Sequence, residues 1–320
     1  MLKLVPVFAF VVASMVSSLT FAQAYPTQPV KIVVGFPPGG TTDVIGRLVA
    51  QSLSESLGKS FVVDNRAGAS GTIGAGVVAK ADPDGHTMLL VSSTHGTAPA
   101  LYANLPYQDK DLIAVALVAS TPYVFVVHPE LKVETFTQLL ALLKQSPGKY
   151  NFASSSPGTA QHLGGELVKR AAGVDMVHIP YKGSGALMPD LLSGRIQMMF
   201  ENVAIMTPHI RKGSLRPLAV SSARRTALLP EVPTVAESGV PGFEMLGWFA
   251  LLVPAGTSPD IVRLLNAEIG RMIVKPAIVQ RFAGLGAEAL PSTPSETVAF
   301  IRAEQDKWGR VIREVGIKAE

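Results

Sequence analysis

"VKIVVGFPPGGTTD", residues 30–43, sets a run of β-branched residues directly against two prolines, two glycines, two hydroxyls and a carboxylate. Residues 31–35 read as a strand covered on both faces, because they are apolar without alternation. A helix is predicted to follow, since Val44, Leu48, Val49, Leu53 and Leu57 recur at helical spacing. The stretch between is a strand-to-helix turn at the carboxyl end of a strand, where an open α/β sheet binds its ligands. The first turn of such a helix leaves backbone N–H groups without partners and carries a partial positive charge, so it suits an anion. Gly39 and Gly40 permit close approach and positive φ, Pro37 and Pro38 stiffen the loop, and Thr41 and Thr42 offer hydroxyl donors. Two readings stay open for these residues: a preformed anion cradle, or a plain tight turn with Asp43 as the helix cap.

The same alternation runs through the chain. Strands are predicted at residues 61–64, 87–91, 123–127, 150–153, 176–179, 196–200, 215–220 and 249–253, with helical spacing between them, as in Ile261, Leu264, Leu265, Ile269, Met272 and Ile273. A last helix is expected from 296 to 315, with Val298, Ile301, Trp308 and Ile312 on one face. Strand-helix alternation of this rhythm predicts an α/β fold with mainly parallel sheets. Residues 229–242, rich in Pro and Gly, suit a chain passing between lobes.

The chain begins Met1-Leu2-Lys3, runs almost without charge from Leu4 to Phe21 and then reads Ala22-Gln23-Ala24. That pattern predicts a signal peptide cut after Ala24, the alternative being an uncleaved membrane anchor. The chain has no cysteine, which excludes a lipid-anchored cysteine and a disulfide framework. What remains after residue 24 is long enough for two lobes, each with its own core. Lys and Arg number 28 against 24 Asp and Glu, and the basic residues are scattered in pairs such as Arg211-Lys212 and Arg224-Arg225. No stripe for nucleic acid results, so nucleic acid is not an expected partner, and the small positive excess favours anionic small ligands.

A second loop resembles the first: "ASSSPGTAQH", residues 153–162, places Ser, Pro, Gly and Thr before a helical pattern. Facing cradles in two lobes would grip both ends of a dianion; an N-capping turn is the alternative. A weaker third candidate is Ser92-Ser93-Thr94-His95-Gly96. "VHIPYKGSGA", residues 177–186, either adds Tyr181, Lys182 and the Gly183-Ser184-Gly185 turn to the site or is merely strand, turn and cap. Glu201-Asn202 ends another strand, where a carboxylate would accept from a ligand hydroxyl or amine. Phe36 and Trp248 are apolar candidates for the ligand's middle, with core packing as the alternative; Arg66 either reaches an anion or lies on the surface. The candidate ligand-binding residues are therefore Phe36, Pro38, Gly39, Gly40, Thr41, Thr42, Ser93, Thr94, His95, Ser155, Ser156, Gly158, Thr159, His162, Tyr181 and Glu201. No catalytic residue, metal or cofactor is expected: G-x-S-x-G and H-E-x-x-H are missing, there is no thiol, and the six histidines are far apart in sequence.

"YPTQPVKIVVGFPPGGTTD", "VVDNRAGASGTIGA", "ADPDGHTMLL", "NFASSSPGTAQHLGGEL", "GVDMVHIPYKGSGA", "IQMMFENV", "LAVSSARRTALLPEVPTVAESGVPGFE" and "VPAGTSP", in this order, resemble the Bug or TctC family of periplasmic substrate-binding proteins. The resemblance implies a two-lobed periplasmic-binding-protein fold of type II-like form, each lobe a mainly parallel sheet flanked by helices, joined by a two-strand hinge. Lobe one would be residues 25–122 and 245–320, and lobe two residues 123–244. It further implies capture of a small organic carboxylate, the residue 36–42 loop holding one carboxylate through backbone N–H groups and the residue 153–159 loop contributing from across the cleft. A monomer in the periplasm, serving membrane permease subunits of a tripartite tricarboxylate transporter, is expected; the alternative is a sensor subunit presenting its ligand to a membrane kinase. The resemblance departs at Glu201-Asn202, where the family often has Asp-Asn, and at Ser155-Ser156-Pro157, where it often has an Ala-Gly-Asn-like triplet.

Overall fold

The apolar runs form strands and the helically spaced segments form helices in a computed structural model that describes residues 25–181 and 183–317. The expected leader, residues 1–24, and Lys182 lie outside the described residues. The chain first forms β1 (Val30–Val34), α1 (Thr41–Leu57), β2 (Phe61–Asn65), α2 (Thr72–Ala79), β3 (Thr87–Ser92) and α3 (Thr94–Leu101). It continues with β4 (Leu112–Val127), α4 (Phe136–Gln145), β5 (Asn151–Ser154), α5 (Ala160–Ala172), β6 (Val177–Pro180), α6 (Ser184–Leu192), β7 (Met198–Asn202), α7 (Val203–Arg211) and β8 (Arg216–Val220). The last elements are β9 (Leu246–Pro254), α8 (Pro259–Ile273), α9 (Pro276–Gly284), β10 (Glu288–Ala289) and α10 (Pro294–Val315).

β1 lies between β2 and β3 and is parallel to both, whereas β3 pairs antiparallel with β9, and β9 with the first half of β4. β10 adds to β4 at Ala119–Ser120. The last β4 residue paired with β9 is Pro122; from Tyr123 the strand enters a second sheet, antiparallel to β7 and β8, with β5 parallel to β7 and β6 parallel to β5. Both sheets are therefore mixed, not mainly parallel as predicted. The cause is topological: one strand carries the chain out of the first sheet and another brings it back, and each opposes the strands it joins. The prediction also missed the first half of β4, where Ala114, Ala116 and Ala119 dilute the β-branched signal.

Helices cover both faces of each sheet. Val30, Ile32 and Val34 of β1 pack with Ile45 and Leu53 of α1 and Leu265 of α8, while Val33 turns to the opposite face with Val78 of α2. In the second sheet Met198 and Phe200 of β7 pack with Phe136 of α4 and Leu163 of α5, and Met199 packs with Leu187 of α6 and Met206 of α7. The long helix α10 serves both cores: Ile301 joins the first, and Trp308 and Ile312 join the second. It opens with a capping box between Thr293 and Glu296, two residues earlier than predicted, and Val298 falls outside its buried face. Glu304 accepts from Trp248 Nε1 at 3.1 Å and Trp308 Nε1 at 2.9 Å, tying β9 to this helix.

Where the chain crosses between sheets, Ser221 joins all three passages. Its N–H donates to Tyr123 O (2.8 Å), its carbonyl accepts from Met245 N–H (2.9 Å), and its hydroxyl accepts from Tyr123 N–H (2.9 Å) while donating to Met245 O. Ser221 is fully buried. Close packing on the second sheet gives a direct test. A methyl group at Gly165 would overlap the buried Phe152 ring, so Gly165→Ala is expected to cost about 2 kcal/mol and lower Tm by several degrees in thermal unfolding.

Candidate ligand site

Side chains cap the entries of α4 (Thr135), α7 (Asn202), α8 (Ser258) and α10 (Thr293), but none caps α1, α2, α3, α5, α6 or α9. All of these uncapped helices except α9 follow strands whose carboxyl ends point the same way within each sheet: β1, β2 and β3 in the first, β5 and β6 in the second. Gly40 is the N-cap of α1. Asp43, expected as a possible cap, instead lies in the first turn and reaches back to accept from Gly39 N–H at 2.9 Å. Arg47 Nε (2.9 Å) and Asn65 Nδ2 (3.0 Å) also donate to it, and Asn65 Nδ2 fastens the Phe36 carbonyl at 3.0 Å. Burial would raise the Asp43 pKa, but these donors and the Arg47 charge hold it below the usual value.

Only Gly39, at φ +88°, uses the left-handed freedom expected of both glycines. Gly40 has φ −78° and ψ 166°, and a Cβ there would meet nothing closer than Pro37 O at 3.9 Å. Neither backbone nor packing demands glycine at 40, so the space beyond the first turn of α1 stays open to a ligand. Pro38 is exposed and Thr41 half-buried beside it, while Thr42 is buried.

Phe36 lays its ring against the Gly71 turn; a Cβ at Gly71 would stand 3.3 Å from it. In that turn Ala69 (φ +44°) and Ser70 (φ +54°) hold left-handed backbone without being glycine, the kind of strain that clusters at functional sites. Thr94 Oγ1 donates to Ser70 O (2.9 Å), and Tyr102 OH donates to Ser70 Oγ (3.2 Å). A cavity of about 10 Å³, room for roughly one water, lies among Phe36, Ser70, Gly71, Thr94, His95 and Tyr107. His95 is buried against Tyr107, Nδ1 to OH 3.1 Å, and burial lowers its pKa to about 4. It therefore acts as a neutral partner of Tyr107.

In the second loop Thr159 is the N-cap of α5, yet its hydroxyl donates to Ser156 O (2.8 Å) and leaves the first turn uncapped. His162 Nδ1 accepts from Gly158 N–H (3.0 Å), and its ring stacks on His178 at 3.7 Å between centroids. Burial, His178 and Lys169 lower the His162 pKa to about 3; burial and Lys169 lower that of His178 to about 4. Gly158 (φ +72°) packs directly on Leu101 at the end of α3. The contacts Phe36–Gly71, Ser70–Tyr102 and Leu101–Gly158 thus join the loops of the two sheets into one continuous surface.

Glu201 is buried at the end of β7 and accepts from Ser184 Oγ and Asn202 N–H, both at 2.7 Å, and from Gln161 Nε2. Gln161 in turn accepts from Ser155 Oγ at 3.2 Å. Tyr123 is raised above its usual pKa by burial and by the Glu201 charge, offset by a bond with Ser93, so Ser93 belongs to this group. Tyr181 donates to Asp190 at 2.7 Å and has its proton committed there. Trp248 is fully buried core, and Arg66 is an exposed partner of Asp64. Ser70, Gln161 and Tyr123 were not singled out as site residues; the Gly-Ala-Ser-Gly sequence at 68–71 was the available signal for the first. Among the described residues no cluster of His, Asp and Glu is arranged to hold a metal ion.

The family model described as the tripartite tricarboxylate transporter family receptor, TctC, matches residues 45–317. The chain belongs to the TctC family. It is 41% identical over 312 residues to the protein BugT of Bordetella pertussis, covering 97% of this chain and 96% of that protein. Two solved structures share its α/β periplasmic-binding-protein fold. Rpa4515 of R. palustris with adipate has a TM-score of 0.85 and 35% identity, covering 92% of this chain and 100% of its own. MatC of Rhodopseudomonas palustris with bound malate has a TM-score of 0.79 and 28% identity, covering 90% of this chain and 100% of its own.

In this TctC protein the stacked imidazoles set a pH limit. Their folded pKa values lie below the ordinary value of about 6.5. Their contribution to stability is therefore full above about pH 6.5 and is lost as pH falls toward 4 and then 3. Thermal unfolding from pH 7 to pH 4 is expected to show falling Tm, with a shallower fall in the His162→Gln/His178→Gln double variant.

Proposed function

We propose that this TctC protein is a periplasmic solute receptor that captures a small organic carboxylate without turning it over. It then delivers the ligand as a monomer to membrane permease subunits of a tripartite tricarboxylate transporter. The observation that carries this reading is the pair of uncapped helix entries, α1 in one sheet and α5 in the other, lying at carboxyl ends of parallel strands. Backbone N–H groups there are pre-aimed, and the loops carrying them are fixed by Asp43 and His162. Binding therefore has little ordering cost. The adipate and malate of the two similar structures have the chemistry such a site accepts.

Lobe one comprises residues 25–122 and 245–320, and lobe two residues 123–244. Closure swings them about the Tyr123–Ser221–Met245 junction. The helix α10 packs on both cores and stays attached to each, so it limits the range of the swing. The signal-peptide pattern of residues 1–24 supports export.

A thermal-shift titration with carboxylates, adipate and malate among them, tests the reading. Ligand at a hundredfold excess over its dissociation constant stabilises by about 2.7 kcal/mol, several degrees in Tm. Gly40→Val fits the observed backbone and should cost at most about 1 kcal/mol without ligand. It is expected to abolish the ligand shift, whereas a retained shift would contradict binding at α1.

A further inference from the structure

Glu201, 3% exposed, stands where three helices begin. Its Oε1 accepts from the N–H of Asn202, the N-cap of α7, at 2.7 Å. Its Oε2 accepts at 2.7 Å from the hydroxyl of Ser184, the first residue of α6. Gln161, in the first turn of α5, spans both oxygens at 3.5 and 3.4 Å. The positive ends of α5, α6 and α7 therefore already face an internal carboxylate. Burial raises its pKa, and the bonds from Asn202 N–H, Ser184 and Gln161 oppose that rise; among the described residues these donors and no ion-paired cation hold it.

The hydroxyls of this network have their protons committed: Ser184 donates to Glu201 and Ser155 to Gln161 Oε1, so what each has left to offer is an acceptor. At the α1 loop the balance is reversed: Asp43 is turned back on Gly39 and paired with Arg47, leaving the first turn of α1 uncapped. A second ligand carboxylate beside Glu201 would shed water next to a buried like charge. A hydroxyl or ammonium there gains a charge-assisted bond.

We infer that Glu201 sets ligand specificity: one end of the ligand is a carboxylate seated on α1, and the end facing Glu201 is a hydrogen-bond donor, a hydroxyl or an amine. The inference rests on the receptor reading above. It makes an unsubstituted dicarboxylate a poorer ligand than the ω-hydroxy or ω-amino acid of equal length.

The test is calorimetric titration of the purified chain and of Glu201→Gln with two matched sets. One is succinate, 4-hydroxybutyrate and 4-aminobutyrate; the other is adipate, 6-hydroxyhexanoate and 6-aminohexanoate. The natural chain is expected to favour the hydroxy or amino member of at least one set by about tenfold or more, and Glu201→Gln to erase or invert that ratio. A dicarboxylate preference in the natural chain, or a ratio that Glu201→Gln leaves unchanged, overturns the specificity assignment while leaving the receptor reading intact. No binding of any probe to either protein overturns both. Should Glu201→Gln fail to fold, Ser184→Ala decides: stripping one donor from the carboxylate should widen the ratio, and an unchanged or narrowed ratio overturns the assignment.

Discussion

A backbone N–H at the start of a helix needs an acceptor, and a protein that supplies none from its own side chains leaves that need for something else to meet. The chain caps α4, α8 and α10 with Thr135, Ser258 and Thr293, and leaves α1 and α5 uncapped although suitable groups stand beside both. Asp43 bends back to Gly39, and the Thr159 hydroxyl bends back to Ser156. Both groups are used to stiffen the loop instead of filling the helix entry. The loops that carry the donors are thus held in place.

The arrangement works because its supports are rigid elements. Strands β1 and β5 deliver the two loops from sheets whose faces are both covered, and β4 carries the chain from one sheet to the next without interruption. Ser221 bonds every passage at the junction, where a side chain with one donor and one acceptor suffices to join Tyr123 to Met245. Sheet and helix hold the geometry within each half, and α10 packs on the cores of both.

The α/β class was legible because it depends on local pattern: apolar runs at residues 31–35 and 87–91 became β1 and β3 almost without change. The mixed character of the sheets was not legible, since strand direction follows from which strands cross between halves, and periodicity is blind to that. At the site, the loops at 36–42 and 153–159 were recognisable from their Pro, Gly, Ser and Thr content. Their donor and acceptor roles were not. That Asp43 serves Gly39, that Gln161 links Ser155 to Glu201 across 40 residues, and that Tyr123 reaches Ser93 are facts of tertiary approach. The place of Ser70 beside the loops was not legible because its strained backbone, the feature that marks it, has no signature in composition beyond the glycines at 68 and 71.

The most direct measurement is a two-dimensional ¹H–¹⁵N NMR titration of the labelled protein with a carboxylate that stabilises it. The amides of Thr41 and Thr42, at the start of α1, and of Gln161 and His162, at the start of α5, are expected to move together and report one dissociation constant. Ligand binding that shifts other amides and leaves these four in place would contradict this.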